Sequence, residues 1–130
     1  MVWVNKFICK TLRGSKEIRK ITIKENLRAL TGYCGLCLFD EESIIIASDM
    51  SKIEQYISVL HEIFHYYFRD YHDKRLHEEK DDPIEERAEK SAQNVLQWYL
   101  GNEEMYQQFK SLYGKLKVTA LTEEELEDLI

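Results

Sequence analysis

Two histidines four residues apart, with a glutamate after the first, stand in the run His61-Glu62-Ile63-Phe64-His65, an HExxH sequence. Four residues of α-helix advance slightly more than one turn, so both imidazoles fall on one face and can grip a single metal ion. Zinc suits such a pair, and Glu62 beside it is placed to polarise a metal-bound water. This is the minimal apparatus of a zinc peptidase.

Such a pair needs a helix to hold it. Ser51 and Glu54 form a capping box, and Ile53, Tyr56, Ile57, Leu60, Ile63, Phe64 and Tyr67 recur at helical spacing, which predicts a helix over 51–68. On its wheel His61 and His65 lie at the edge of the apolar stripe, and Glu62 lies further toward solvent.

A catalytic zinc takes a third protein ligand and keeps one position for water. Asp82-Pro83 reads as a helix start, with Asp as N-cap and Pro at the first helical position. From there Ile84, Ala88, Ala92, Val95, Leu96 and Tyr99 trace a second apolar stripe. Glu85 falls within that stripe, whereas Glu86 and Glu89 point away from its centre. A carboxylate in an apolar stripe must be paired or metal-bound, and the small alanines let another helix come close. Glu85 is therefore the expected third ligand. His72 and His77 compete for the role, but on a continued helix His72 would stand about 10 Å along the axis from His65. No glycine between Tyr66 and Tyr71 offers the turn that HExxHxxGxxH sites use.

Leu60-His61-Glu62-Ile63-Phe64-His65, followed by Glu85-Glu86-Arg87-Ala88-Glu89-Lys90-Ser91-Ala92, resembles the ImmA/IrrE metallopeptidase family, whose pattern is HExxH and then ExxA(N/D)xFA on a later helix. The resemblance runs from about Gly35 to Leu100. It implies a gluzincin-like zincin with His61, His65 and Glu85 on zinc and Glu62 as the catalytic glutamate. It also implies a protein substrate, for several members cleave a helix-turn-helix repressor of a phage or mobile element. Departures from the pattern are Phe64 where a small residue is usual, Glu89 for Asn or Asp, Ser91 for Phe, and no proline after Trp98.

The chain has 130 residues, 44% hydrophobic and 32% charged, which suits one domain with one core. No apolar run approaches the roughly 20 residues of a membrane span, and Lys6, Lys10 and Arg13 interrupt the first apolar segment, so no signal peptide and a cytoplasmic location are expected. Residues 1–30 carry a net +6 and the rest a net −12. That basic segment could meet an acidic partner, but no reading motif for nucleic acid accompanies it, and direct nucleic-acid binding is not expected. The odd count of cysteines, Cys9, Cys34 and Cys37, argues against a disulfide framework. Cys34-Gly35-Leu36-Cys37 has the spacing of a redox CxxC, yet it runs into strand-like sequence rather than opening a helix.

The expected architecture is α+β: an N-terminal antiparallel or mixed sheet packed on three to four helices, with the HExxH helix central. Val2 to Leu12 is rich in strand formers and predicts a first strand; Ile21-Thr22-Ile23 predicts another, with Glu25 to Leu30 a helical turn. Gly35 to Asp40 and Ser43 to Ser48 predict a hairpin, whose second strand is the expected ledge for an extended substrate. Tyr71 to Asp82 reads as a loop, Asn102 to Gly114 as a helix, and Thr122 with Glu125 as the start of a short acidic one.

On these readings the chain is a zinc-dependent endopeptidase selective for one protein partner. Tyr66, Tyr67, His72 and His77 stand as unranked donors for an oxyanion. The alternative is a zincin-shaped binding protein that holds a partner without turnover. A SprT-like protease would require a histidine third ligand and usually a zinc ribbon, for which the chain has no second CxxC.

Overall fold

A computed structural model describes residues 1–70 and 82–129, and in it the chain opens on a helix where the sequence predicts a strand. Helix α1 spans Val2–Arg13, and its buried residues include Asn5, Ile8, Cys9 and Leu12. Those positions recur at helical spacing, and this amphipathic repeat overrides the β-branched and aromatic composition that suggests a strand. Asn5 anchors the helix from within the core, accepting a hydrogen bond from the Tyr99 hydroxyl at 2.7 Å.

Strand β1 (Lys20–Glu25), the short helix α2 (Leu27–Thr31), strand β2 (Gly35–Leu38), a 3-10 turn at Phe39–Glu41 and strand β3 (Ser43–Ala47) follow. Then come α3 (Lys52–Tyr67), α4 (Pro83–Leu100), α5 (Glu103–Gly114), β4 (Lys117–Ala120) and α6 (Glu123–Leu129). The fold is α+β with a mixed sheet in the order β2-β3-β1-β4. β1 pairs in parallel with β3 and β4, and β2 pairs antiparallel with β3, Gly35 opposite Ile46. The sheet is thus not purely N-terminal. β4, too short and too exposed to show an apolar alternation, was not predicted, and only its pairing with β1 defines it.

Alternation along the strands divides the apolar residues between two faces. Ile21, Ile23, Cys37, Ile44 and Ile46 meet Val59, Leu60, Ile63 and Phe64 of α3 together with residues of α1, α4 and α5 in the main core. Leu36, Ile45 and Ala47 meet Leu27 and Leu129 on the other face. Each large apolar side chain buried this way contributes about 1.5–3 kcal/mol before entropy is subtracted.

The Ser51 to Phe68 helix forms with its capping box, Ser51 accepting from Glu54 N–H and Glu54 from Ser51 N–H. Its buried arc is wider than the predicted stripe. Ile53 and Tyr67 are exposed, whereas Gln55, Val59, Glu62, His65 and Tyr66 are buried, because the helix is covered on one side by the sheet and on another by α4 and α1. Asp82 caps α4 by accepting from Ile84 N–H at 2.8 Å, with Pro83 in the first turn. Asn102 precedes α5, but its side chain donates back to Trp98 C=O instead of capping. Thr122 and Glu125 form the reciprocal pair that starts α6.

One buried cation fixes the C-terminal elements to the sheet. Lys24, 7% exposed, donates from Nζ to Thr119 Oγ1 at 2.8 Å and lies 2.9 Å from Glu125 Oε2. Removing the carboxylate leaves that ammonium underpaired in a poorly solvated place. Glu125→Ala is expected to lower stability by about 1–3 kcal/mol, and Lys24→Met by less, since it removes the charge that needs a partner. Urea unfolding of the two variants checks the order.

Candidate metal centre

His61 and His65 stand on consecutive turns of α3, and Glu85 reaches them from the first turn of α4. The two Nε2 atoms are 3.1 Å apart. Glu85 lies across both, with Oε2 2.7 Å from His61 Nε2 and Oε1 3.1 Å from His65 Nε2. Buried Ala88 and Ala92 follow on the α4 face that meets the core, and their small side chains permit the close helix approach that brings Glu85 over. Four-coordinate zinc, with donors about 2.0–2.1 Å away, sets neighbouring donors about 3.3 Å apart. The three side chains, whose ligand atoms all lie within 4.8 Å of one another, therefore fit one such ion.

The donor set is also correctly oriented. The last turn of α3 ends in a Schellman pattern: Arg69 takes a left-handed backbone (φ 57), Arg69 N–H donates to Tyr66 C=O, and Asp70 N–H donates to His65 C=O. No glycine is needed because Arg69 itself adopts the left-handed conformation. This turn folds Asp70 back, so that Asp70 Oδ2 lies 3.2 Å from His65 Nδ1. A carboxylate can only accept there, which puts the proton on Nδ1 and leaves the Nε2 lone pair for a metal.

Glu62 departs from its expected exposure: it is 3% exposed, not turned toward solvent. The edge of the sheet covers it. A Cβ added to Gly35 would come 3.3 Å from Glu62 Cγ and 2.9 Å from Ile46 Cδ1, so the absence of a side chain there lets β2 lie this close without displacing either one. Glu62 Oε2 is 3.9 Å from His61 Nε2, and Oε1 has no hydrogen-bond partner among the described residues. Glu89 also differs from expectation, its Oε1 lying 3.6 Å from His61 Nδ1.

An open cleft of about 310 Å³ runs past these groups, lined by residues of the Gly32 to Gly35 segment, Ser58, His61, Glu62, Glu85 and Glu89. The expected ledge at Ser43 to Ser48 is corrected: β3 is paired on both sides, and the edge bordering the cleft is β2. Ala47 N–H donates to Cys34 C=O, and the alternation of an antiparallel ladder then turns the main-chain groups of Gly35 and Cys37 outward. Tyr66 and Tyr67 do not line the cleft; both pack on Phe7, at ring distances of 5.3 and 5.0 Å. His72 and His77 lie outside the described residues. Bulky Phe64 is buried among Tyr67 and Phe68 and leaves the cleft open.

Sequence reading did not find Asp70, Arg87, Gly35, Tyr33 or Ser58. Only Asp70 left a trace, as a carboxylate five residues past His65 where a helix end could fold back. The CxxC cysteines are not arranged for redox work. Cys37 is in the core, its thiol pushed well above the usual range by burial and then by Glu62 and Asp70; Cys34 is raised as well, by burial first and with Arg28 opposing. Neither is the low-pKa thiol that such chemistry uses.

No protein family matches the chain, and no curated protein or solved structure is significantly similar to it. Among the described residues no helix is long and apolar enough to cross a membrane.

Burial alone would pull the His61 imidazole down, but hydrogen bonds to Glu85 and Glu89 and the charge of Glu62 outweigh it and hold its pKa at about 10, against an ordinary 6.5. His65 is raised too, Glu85 and Glu62 overcoming its burial. In metal-free protein a proton therefore does the neutralising. A pKa raised on folding contributes stability that is complete below the unfolded value and is lost as pH climbs through the folded one. Chelator-treated protein is expected to lose stability from pH 6.5 up to about 10. Urea titrations across that range should show a shallower slope for His61→Gln.

Proposed function

We propose that this chain is a zinc-dependent endopeptidase of the HExxH, gluzincin-like type, akin to the ImmA/IrrE family its sequence resembles. The observation that carries the reading is the convergence of His61, His65 and Glu85 on one point, with the buried carboxylate of Glu62 beside them. A zinc ion held by the three would supply Lewis acidity, lowering the pKa of a water and polarising a peptide carbonyl.

The rest is the work of the chain's own groups. Glu62, held under β2 by the absence of a side chain at Gly35, is the general base: its carboxylate takes the proton of the attacking water and returns it to the leaving amine. Asp70 keeps His65 in one tautomer and one orientation. The outward main-chain groups of Gly35 and Cys37 offer an extended peptide a strand to pair with, directly above Glu62. Such pairing aligns a scissile bond without reading its side chains, so selectivity must come from contacts elsewhere on the substrate. A single cytoplasmic partner, in the manner of a helix-turn-helix repressor, is the proposed substrate.

Purified protein is expected to hold about one zinc per chain. His61→Ala, His65→Ala and Glu85→Ala should each lose most of it by elemental analysis. Full retention in Glu85→Ala, with loss in His72→Ala or His77→Ala, would overturn the ligand assignment.

Glu62→Gln should keep the metal and lose cleavage by at least 100-fold, on the order of a general base's contribution. Wild type and this variant are to be incubated with casein and with helix-turn-helix repressors. The expected result is a single cut in one repressor, absent from Glu62→Gln. Rapid cutting of casein at many sites would refute selectivity. Unchanged biological activity of Glu62→Gln would favour a zincin-shaped protein that acts by holding its partner.

A further inference from the structure

Two described segments flank residues 71–81, one ending at Asp70 and the other beginning at Asp82, and beside the Glu85 contacts a second side chain of α4 ties them together. Arg87, on the second turn of α4, places Nη2 2.6 Å from Asp70 Oδ1. Its guanidinium also lies over the Phe68 ring, 4.1 Å from the centroid. It thus grips both residues of the α3 terminus that flank Arg69. The other oxygen of the same Asp70 carboxylate faces His65 Nδ1 at 3.2 Å. A continuous chain of contacts therefore runs from α4 through Asp70 to a metal-facing imidazole.

We infer that Arg87 is a positioning residue for the metal centre, acting through Asp70: it holds that carboxylate against His65 and so presents Nε2 to the ion. This rests on the metal reading proposed above. The physical grounds are three. Asp70 is 8% exposed, and a buried carboxylate with one neutral donor is costly, so the charge of Arg87 secures it in place. Arginine alone can stack flat on Phe68 while its edge donates to a carboxylate, so the geometry is chosen by a planar fork rather than by charge. And because Glu85 lies two residues before Arg87, adjoining turns of α4 supply one ligand and orient another, coupling the approach of α4 to the aim of His65.

The test measures zinc affinity of the full chain by competition with a chromophoric chelator. Wild type, Arg87→Met, Arg87→Lys, Asp70→Asn and the double variant Asp70→Asn/Arg87→Met are compared. Arg87→Met and Asp70→Asn should each weaken zinc binding about tenfold, the lower range for partners of a ligating histidine. Arg87→Lys should recover part of the loss. In the Asp70→Asn background Arg87→Met should add less than about twofold, since the route through Asp70 is already cut. Proton NMR of the zinc-loaded protein supplies a readout that a merely structural role would not move. The downfield His65 Nδ1–H signal should be sharp in wild type, lost in Asp70→Asn and broadened in Arg87→Met.

An equal loss from Arg87→Met in both backgrounds, or no loss at all while wild type holds zinc, overturns this inference and leaves the metal reading intact. A wild type that binds no zinc overturns both.

Discussion

A carboxylate half-buried against two imidazoles is most stable when positive charge sits among them, and the α3–α4 interface is built around that requirement. Glu85 contributes negative charge to a place largely shielded by protein, with Glu62 beside it and Asp70 behind His65. In metal-free protein the charge is supplied by protons on the imidazoles, which is why their pKa values rise despite burial. A divalent cation answers the same need without a proton. Metal binding, as proposed for this site, and proton binding would be two expressions of one electrostatic demand, competing for the same nitrogens.

The surrounding fold satisfies this demand by geometry more than by extra charge. Alanines at 88 and 92 bring α4 close, Gly35 brings the sheet edge close, and the Schellman turn at Arg69 brings Asp70 back. Each is a close approach of the main chain, and each is decided by a small side chain or an unusual dihedral angle. The cleft beside β2, α3 and α4 is open, lined by His61, Glu62, Glu85 and Glu89 among others, and bordered by β2, the edge strand among the described residues. That shape suits an extended polypeptide better than a compact small molecule, which an enclosed apolar pocket would hold.

Selectivity in the proposed peptidase then has to arise outside the cleft. Main-chain pairing along β2 is indifferent to sequence, and a short open cleft gives little alignment of its own. The marked charge asymmetry of the chain, basic in residues 1–30 and acidic beyond, is partly closed within the fold, where Arg19, Lys24 and Arg28 pair with Glu42, Glu125 and Glu54.

The local features of this protein were written in its sequence. Capping at Ser51 and Glu54, the Asp82-Pro83 start, and the spacing of His61 and His65 depend on neighbours within one or two turns, and all of them stand in the structure as the residues dictate. Glu85 was legible for a related reason, since a carboxylate inside an apolar stripe announces a partner whatever the fold. What only tertiary structure decided was which faces are covered. Glu62 is buried because β2 crosses it, α1 is a helix because its period of burial outweighs its composition, and β4 is a strand because β1 offers it an edge. Asp70 and Arg87 belong to the site through one turn and one long-range contact, and contacts across seventeen residues leave no period for a sequence to display.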